Sequence, residues 1–587
     1  MTYHLLRHLL HALETLWRER IDLFWPIWIA ITVMGVMAVI WVVPQRETIP
    51  LDSHQPRRQD WSRASLLAVG FLSVFLISYI AGSLVWEDFT YSDNSLFTLG
   101  TLAGHNIPFP IWPDEGRFWP LGDQEYNLLR HVTSSVIGYH ALRIVQLVLL
   151  SGLLLIFDEE LSVRARVALI TLALITPSIL ISFSGLIYPE SNLIFSLACL
   201  AWSVKRFEQT RSTTWAVAAL ISSQFMLYYK ETAFLLLLGF ALGRLSLRCL
   251  RVDAAGWDFK RLRDPESRLD ACLAVLVVPF LLYYLAAMFP DYRTRYADVF
   301  HLSLSQVLSA YLKVDLLAWV FVAVVLVRVI LILQRKVAPS LLWDGLAVGG
   351  IAYVASYLAL RMHAAYYFAP VDLIALLYLG RLAIRSRESM GFGTKLCAMA
   401  FLALILLQDL SLSAFRMYER KNVIHAKAEM GRVIEARYER DPQYAKRLFF
   451  PFARPNRVME FGAYLSYRGV PIERAPDDTI ATDNVVMIGK AIREDGPCIQ
   501  GKPLVCHPGA RPEPGDLIVV LPDDFTQTDE LNSYRQEGSE PLFSYRPVPS
   551  IPSWLRPYVN QLHVVSPVFF RSPLPDFWLN ASVSVWD

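Results

Sequence analysis

Carboxylates gather beside aromatic residues at the start of one long polar stretch, residues 86–136, directly after an apolar segment. The stretch opens with Trp86-Glu87-Asp88-Phe89 and continues through Asp93-Asn94. Carboxylates at a membrane edge can act as general bases toward a hydroxyl acceptor. Helix capping and interfacial solvation would explain any single one of these acids. Taken together they predict a chemical site, with Asp88, Glu87 and Asp93 as candidate catalytic residues.

Two further turns between apolar segments also carry acids. Tyr188-Pro189-Glu190 joins one pair of segments, and Lys230-Glu231 joins another. Capping of the following helix accounts for Glu190 or Glu231 taken alone. Ionisable groups at membrane depth are costly, however, and are functional candidates by default. We therefore expect Glu190 to be a fourth catalytic candidate, with Tyr188 and Glu231 close to it.

The same turns contain few cations, so each one is informative. Arg117, Lys230 and Arg361 could hold a phosphate by charge and bidentate hydrogen bonding. His363 and Tyr366 follow Arg361 closely in the sequence. Snorkelling of long cationic side chains at the membrane interface is the alternative explanation. The pattern predicts Lys230, Arg361, Arg117 and His363 as a phosphate-binding group, with Tyr366 beside it.

Several other classes of chemistry leave no trace in the sequence. It has no Walker A motif, no Rossmann glycine signature and no zinc-ligand spacing. Its basic residues lie in short loops between apolar segments, which does not indicate nucleic-acid binding. The sequence therefore indicates no particular cofactor. The acids of residues 86–136 could hold a divalent metal.

The elements that position these residues are apolar. Hydrophobic residues make up 54% of the 587 residues and charged residues 18%, whereas soluble domains average about 45–50% and about 25%. Segments of this length and composition predict about eleven or twelve transmembrane helices. We place them near residues 22–43, 65–85, 137–157, 165–187, 190–204, 213–229, 231–247, 270–289, 315–334, 342–361, 366–384 and 395–414.

The loops between these segments alternate in charge. Under this assignment one set contains 22 Lys and Arg residues and the other set contains seven. The positive-inside rule makes the first set cytoplasmic, so residues 86–136 and the chain after 414 lie outside. The first segment does not follow the pattern, because Arg7, Arg18 and Arg20 precede it. The N-terminus is either outside, or residues 1–43 form an interfacial helix and a hairpin that does not cross.

The composition changes near residue 415. Residues 423–438 indicate a polar helix, and 447–452, 484–488 and 516–521 indicate strands. We predict a transmembrane domain over residues 1–414 and an α/β domain over 415–587 on the outer face. The whole chain is then an all-α polytopic membrane domain followed by an outer α/β domain.

The tail contains two cysteines, Cys498 and Cys506, with seven residues between them. A loop of this size can close as a disulfide in an oxidising compartment. Two free thiols are the alternative. The pairing follows from the outer location predicted for the tail.

These motifs resemble the GT-C superfamily of multi-span glycosyltransferases, which includes protein O-mannosyltransferases and the aminoarabinose transferases of lipid A. That group has an acidic pair in its first outer loop, which Glu87-Asp88 resembles, with Asp93-Asn94 as a second match. An acid at a later outer turn resembles Tyr188-Pro189-Glu190, and a Lys-Glu pair resembles Lys230-Glu231. The resemblance covers residues 65 to about 384. It departs from the family in having Glu-Asp where Asp-Asp or Asp-Glu is usual.

The resemblance implies a sugar donor carried on polyprenyl phosphate and an inverting transfer to a hydroxyl of an acceptor glycan, lipid or protein. From the character of the chain we expect a bacterial inner membrane, and the charge of the loops then puts the C-terminal domain in the periplasm. A transporter or flippase of lipid-linked glycans is one alternative, although paired inverted halves are not visible in the sequence. A glycan polymerase is another, although it would need its large outer loop late in the membrane domain rather than at 86–136.

Overall fold

The structure is a computed structural model, and it describes sixteen stretches of the chain. They are residues 24–43, 62–85, 88–90, 94–112, 117–250, 258–288, 303–362, 364–386, 391–440, 447–453, 455–472, 486–491, 504–507, 511–522, 541–545 and 581–585. The predicted site residues Glu87, Asp93 and His363 lie outside these stretches. Cys498 of the predicted pair Cys498 and Cys506 also lies outside them, so the pairing stays a prediction.

Helices make up most of the described chain before residue 440. They are α1 (Phe24–Val42), α2 (Arg63–Val85), α3 (Asn94–Leu102), α4 (Gln124–Leu129), α5 (Val136–Phe157), α6 (Val163–Ile175), α7 (Pro177–Ser184), α8 (Glu190–Thr210), α9 (Thr213–Tyr229), α10 (Ala233–Cys249), α11 (Pro265–Met288), α12 (Leu304–Val314), α13 (Leu316–Leu333), α14 (Leu341–Ala359), α15 (Ala369–Ser386) and α16 (Phe392–Arg440). Short 3-10 helices cover Phe259–Arg263 and Ala365–Phe368, and a two-stranded ribbon joins β1 (Ile111–Trp112) to β2 (Arg117–Phe118).

Every apolar segment predicted from the sequence is helical where the structure describes it, but fewer segments than predicted meet the length and composition of a membrane span. Within the described stretches eight helices meet them, or nine if the bent pair α6 and α7 forms one span. Helices α9 and α10 have only 17 residues each, and the last turns of α8 contain Lys205, Arg206 and Glu208. Helix α8 is mostly buried in the bundle, and α9 and α10 each bury part of their surface against neighbouring helices.

One predicted span is broken. The sequence predicts a single helix over 165–187, whereas α6 and α7 meet at an angle of 68°. The break falls at Thr176-Pro177, and Pro177 is the first residue of α7. Proline has no N–H to donate and its ring clashes with the preceding turn, so the helix cannot continue straight through this residue.

Close helix packing in the bundle depends on small residues. A Cβ added to Gly349 of α14 would lie 2.6 Å from the carbonyl oxygen of Leu236 in α10, and one added to Gly239 would lie 3.0 Å from the Cα of Gly349. No side chain fits at these points. Glycines of this kind let two backbones approach, which is how helices gain van der Waals contact where lipid removes the hydrophobic drive.

The two sets of loops distinguished by charge meet at opposite ends of the bundle. At one end, the basic end, Arg244 pairs with Glu208, and Arg381 pairs with Asp158. At the other end, the aromatic end, the N–H of Leu121 donates to the carbonyl of Tyr228 over 3.0 Å. The hydroxyl of Tyr311 donates to the carbonyl of Met362 there over 2.9 Å. The alternation of the loops across a membrane stays a prediction, and it rests on their charge.

Beyond residue 440 the described chain forms one mixed six-stranded sheet. Its strands are β3 (Arg447–Ala453), β4 (Val486–Ala491), β5 (Leu504–His507), β6 (Leu517–Val520), β7 (Pro541–Tyr545) and β8 (Ala581–Val585), in the order β5-β4-β3-β6-β8-β7. The first four strands in this order are parallel to one another. Strand β8 runs antiparallel to both of its neighbours, β6 and β7. The strands predicted at 447–452, 484–488 and 516–521 are confirmed by β3, β4 and β6.

Helices α16 and α17 (Pro455–Tyr467) pack against this sheet. The polar helix predicted over 423–438 is the second half of α16, which runs unbroken for 49 residues. The predicted domain boundary at 414 therefore falls inside one continuous helix. Buried side chains of β3, β6 and α17 form a core together with Phe89 and Tyr126 of the 86–136 stretch. The division into domains stays a prediction.

Candidate functional site

The first part of the site is built by a helical hairpin. Helices α8 and α9 pack against each other and are joined by two residues, so the start of α8 lies beside the end of α9. Glu190 is the first residue of α8 and Lys230 follows the last residue of α9. Lys230 Nζ lies 2.8 Å from Glu190 Oε1, and their side chains are only 3% and 0% exposed. The sequence separated these residues by forty positions, and the fold makes them an enclosed ion pair.

A second ion pair lies next to the first. Arg117 of β2 places its Nε 3.0 Å from Glu231 Oε1, with side chains 8% and 11% exposed. The hydrogen bond from Leu121 to the carbonyl of Tyr228 holds the loop in place over the end of α9. We call Arg117, Glu190, Lys230 and Glu231 the ion-pair cluster. It contains two cations and two carboxylates, and the Arg117–Glu231 pair is the more exposed of the two pairs.

Aromatic rings enclose the ion-pair cluster. The guanidinium carbon of Arg117 lies 3.9 Å from the ring centre of Trp119. Lys230 Nζ lies 5.9 Å from the same ring and 4.9 Å from the ring of Tyr367. Both distances are within the range of cation–π attraction. These rings exclude water from the cations, which strengthens any electrostatic interaction inside the site.

The predicted residues Tyr188 and Tyr366 belong to this enclosure. Their ring centres are 4.7 Å apart. Tyr366 also contacts Tyr367, which stacks on Tyr357 at 4.7 Å. The 3-10 helix Ala365–Phe368 thus brings a group of tyrosines against the start of α8. Six of the residues predicted from sequence, namely Arg117, Tyr188, Glu190, Lys230, Glu231 and Tyr366, meet at the aromatic end.

Asp88 has a different environment. Its Oδ1 accepts a hydrogen bond from the Phe89 N–H at 2.6 Å, and its Oδ2 accepts one from the Tyr464 hydroxyl at 3.0 Å. Burial raises the pKa of the Asp88 carboxyl, while these two hydrogen bonds oppose that rise. The contacts of Asp88 within the described chain include neither Lys230 nor Glu190. Asp88 instead links the 86–136 stretch to helix α17.

Arg361 is not placed against the ion-pair cluster. It is exposed, in a left-handed turn with φ of 53° just after α14. No ion pair of Arg361 is found among the described residues. Its predicted role beside Lys230 stays a prediction, and its neighbour His363 lies outside the described residues.

One buried network was not foreseen from the sequence. Arg143 of α5 is 1% exposed and donates to Glu125 Oε1 at 2.8 Å and to Asn192 Oδ1 at 2.9 Å. It also donates to the Tyr126 hydroxyl and to the carbonyl of Leu186. These bonds fix the chain on both sides of Glu190. The available signal was a single arginine in an otherwise apolar span, a residue type that is costly there without partners.

A second unforeseen group consists of buried carboxyls near the bend between α6 and α7. Asp372 of α15 accepts a hydrogen bond from Ser178 of α7, and the carboxyl of Asp315 lies close enough to interact with it. Asp409 of α16 lies close enough to interact with both aspartates. The signal in the sequence was again a charged residue type within apolar stretches.

A metal site at the predicted acids is not tested. Across the stretches that the structure describes, no three or more His, Cys, Asp or Glu side chains come close enough together to hold a metal ion. Glu87 and Asp93 lie outside those stretches, so a divalent metal at the loop carboxylates stays a prediction.

Comparisons with protein family models, with curated proteins and with solved structures find no match to this chain. The resemblance to the GT-C superfamily therefore stays a hypothesis based on short motifs. A function for this chain is therefore inferred from the ion-pair cluster and from Asp88.

Proposed function

We propose that this protein is a membrane glycosyltransferase. It would move a sugar from a polyprenyl-phosphate-linked donor to a hydroxyl of an acceptor glycan, lipid or protein. The transfer would occur at the periplasmic face of a bacterial inner membrane. The observation that carries the proposal is the ion-pair cluster, two cations and two carboxylates enclosed by aromatic rings at the end of the bundle opposite the Lys- and Arg-rich loops.

The cations suit a phosphate held at the membrane edge. A lipid-linked donor keeps its tail among apolar helices and its phosphate at the interface, and we assign Lys230 and Arg117 to that phosphate. When the bond to the sugar breaks, negative charge grows on the leaving phosphate. Cations already fixed in a site of low water content stabilise that charge without having to reorganise.

The carboxylates suit the acceptor side of the reaction. In a single displacement the acceptor oxygen bonds to the sugar carbon while the bond from that carbon to phosphate oxygen breaks. The electron pair of the broken bond goes to the phosphate, and the acceptor proton goes to a base. Asp88 and Glu190 are the described candidates for that base, since both are carboxylates held near the aromatic end.

The C-terminal region contacts the same loop. Tyr464 of α17 donates to Asp88, and the Thr90 hydroxyl donates to the carbonyl of Ile424 in α16 at 3.3 Å. The ring of Phe89 meets that of Tyr467 edge to face at 5.7 Å. A base held between two parts of the chain would meet an acceptor that binds between them. We therefore assign acceptor contact to the region around α17.

The test is transfer from a polyprenyl-phosphate sugar by the purified full-length protein. Asp88→Asn keeps the shape of the side chain but not its basicity, so turnover should fall by about 10²–10⁴-fold while donor binding persists. Lys230→Ala should weaken donor binding, because a phosphate contact is lost in the ground and transition states alike. Lys260→Ala, an exposed change at the basic end, is the control and should change neither.

The base is assigned by comparing the acids in parallel. Glu87→Gln, Asp93→Asn and Glu190→Gln accompany Asp88→Asn. Near-normal transfer by all four variants would show that these acids only cap helices and solvate the interface. The lipid-linked saccharide that accumulates when the protein is removed from cells would identify the donor.

One observation favours a transporter or flippase as the second candidate. Discontinuous helices beside buried ionisable groups line the sites of many transporters, and the 68° bend between α6 and α7 lies beside Asp372. Liposomes containing the protein and a labelled lipid-linked sugar separate the two functions. Movement of the lipid between leaflets without an acceptor supports the transporter, whereas loss of sugar from the lipid only when an acceptor is present supports the enzyme.

A further inference from the structure

We infer that the donor phosphate takes the place of Glu190 on Lys230, so that donor binding itself releases a carboxylate inside the site. The inference rests on the proposed function, because it concerns the same cluster and the same class of ligand. It assigns Glu190 two successive roles, first as the counter-ion of Lys230 and then as a free carboxylate next to the bound donor.

Competition for Lys230 follows from its surroundings. Its ammonium group is 2.8 Å from Glu190, and the rings of Tyr367 and Trp119 lie on other sides of it. Lys230 is buried, so little solvent separates these groups. An anion that binds Lys230 directly must therefore displace the carboxylate already there. A buried ion pair gives up its partner at low cost only when a comparable charge replaces it.

The second ion pair supplies the route of entry. Arg117 and Glu231 are more exposed than Lys230 and Glu190. The guanidinium lies over the Trp119 ring, which Lys230 also approaches. A phosphate bound to Arg117 is thus already next to the Trp119 ring. It can reach Lys230 by moving along the face of that ring. Arginine suits this first contact because its planar fork matches two phosphate oxygens.

The displaced carboxylate has other donors nearby. Glu190 lies close enough to Tyr353, Tyr357 and Tyr366 for its charge to act on their hydroxyls. The hydroxyls of Tyr353 and Tyr357 are 3.4 Å apart. Tyrosine hydroxyls can donate to a carboxylate without neutralising it. Glu190 can therefore leave Lys230 and find new hydrogen-bond donors within the enclosure.

Release changes what Glu190 can do. In the ion pair, Oε1 of Glu190 is held against the ammonium group of Lys230 at 2.8 Å. Once the phosphate holds Lys230, this oxygen is free to accept a hydrogen bond from the acceptor hydroxyl beside the sugar. The proton of the acceptor hydroxyl then passes to Glu190, the acceptor oxygen bonds to the sugar carbon, and the leaving phosphate takes the electron pair of the broken bond. Without the donor, Glu190 stays bound to Lys230.

The experiment measures binding of polyprenyl phosphate to the purified full-length protein in lipid nanodiscs, with the matching polyprenol as the phosphate-free control. Glu190→Gln removes the competitor, so polyprenyl phosphate should bind about tenfold more tightly than to wild type, or about 1.4 kcal/mol. Polyprenol should bind both proteins equally. Asp344→Asn is the matched control, since Asp344 is a buried carboxylate paired with Arg328 outside the cluster, and its loss should not change binding.

Two more variants keep the test decisive. Glu190→Asp withdraws the carboxylate by one methylene and should give a smaller gain in the same direction, which serves if the Gln variant does not fold. Glu190→Gln combined with Lys230→Gln leaves no buried charge unpaired and should bind polyprenyl phosphate more weakly than wild type. Unchanged or weaker binding by both Glu190→Gln and Glu190→Asp would overturn the inference.

The inference and the proposed function can fail separately. Tighter binding by Glu190→Gln, with no sugar transfer by wild type to any acceptor, would leave the exchange standing and remove the enzyme. Transfer by wild type, with no gain in binding by the Glu190 variants, would keep the enzyme and remove the exchange.

Discussion

The hydroxyl of Tyr464 donates a hydrogen bond to Oδ2 of Asp88 over 3.0 Å, although the two residues are 376 positions apart in the chain. The contact joins the 86–136 stretch to helix α17. Burial raises the pKa of Asp88 and the Tyr464 hydrogen bond lowers it. The C-terminal region therefore helps to keep this carboxylate ionised.

A consequence can be measured as pH dependence. If Asp88 is the base, it acts only when ionised, and the acid limb of the pH–turnover profile follows its pKa. Tyr464→Phe removes a donor to the ionised form, so the pKa of Asp88 should rise further and the acid limb should move to higher pH. Tyr467→Phe is the matched control, because the ring of Tyr467 contacts Phe89 and its loss of a hydroxyl leaves that ring contact in place. An acid limb that stays in place or moves to lower pH in Tyr464→Phe would exclude this role.

The orientation of the bundle predicts which surfaces an impermeant thiol reagent reaches in intact cells. Lys260 lies in an exposed turn at the basic end, and Arg432 is exposed on the distal half of α16. In a background without native cysteines, Arg432→Cys should be labelled in intact cells and Lys260→Cys only after permeabilisation. The opposite result would reverse the orientation and put the ion-pair cluster in the cytoplasm.

The buried charges of the basic end should dominate local stability. Asp270 accepts from Arg244 at 2.7 Å and from Arg248 at 3.1 Å, and it is fully buried. Asp270→Ala leaves Arg244 buried with less compensating charge, so the free energy of unfolding in mixed micelles should fall by about 3–5 kcal/mol. The exposed pair of Asp258 with Arg261 offers a contrast.

The control for this prediction is Asp258→Ala, which should cost no more than about 1 kcal/mol because water screens an exposed pair. Replacing both Asp270 and Arg244 by apolar residues of similar size should recover most of the loss. A loss in the double variant as large as in Asp270→Ala would mean that packing rather than charge is responsible.

The outer location of the tail predicts an oxidised pair, Cys498 with Cys506. Closing a loop with seven residues between the cysteines would stabilise the tail by roughly 2–3 kcal/mol in the chain-entropy model. The intact mass of protein purified without air should be lower by two hydrogens than the reduced form. Full alkylation of both thiols without a reductant would contradict the pairing.

The sequence predicted the apolar helices because burial in lipid demands long apolar runs, and it predicted strands β3, β4 and β6 from short hydrophobic runs. It did not reveal the bend between α6 and α7, because hydropathy is continuous across Thr176-Pro177. It grouped Glu190 and Lys230 in one site on the basis of their shared depth. Depth alone could not show that they pair, since pairing depends on which helices become neighbours.

The remaining differences in the site have a similar cause. Arg361 matched Lys230 in charge and depth, but a left-handed turn leaves it exposed. Arg143 was hidden from a search of loops because it lies inside a span, and its partners Glu125 and Asn192 come from separate elements. Contacts between distant elements are a property of packing, which a single sequence does not encode in local patterns.

Helix α16 determines how far the six-stranded sheet lies from the helical bundle and which side of the sheet is turned toward the 86–136 stretch. Its 49 residues span about 74 Å at 1.5 Å per residue, more than twice the roughly 30 Å of a bilayer core. Deleting one full turn from its distal half would bring the sheet about 5 Å closer to the bundle and keep the same side of the sheet toward the 86–136 stretch. Deleting two residues would rotate the sheet by about 200° and turn Tyr464 away from Asp88. The number of residues in this helix, as much as any side chain, therefore decides whether the helical bundle and the sheet can contact the same substrate.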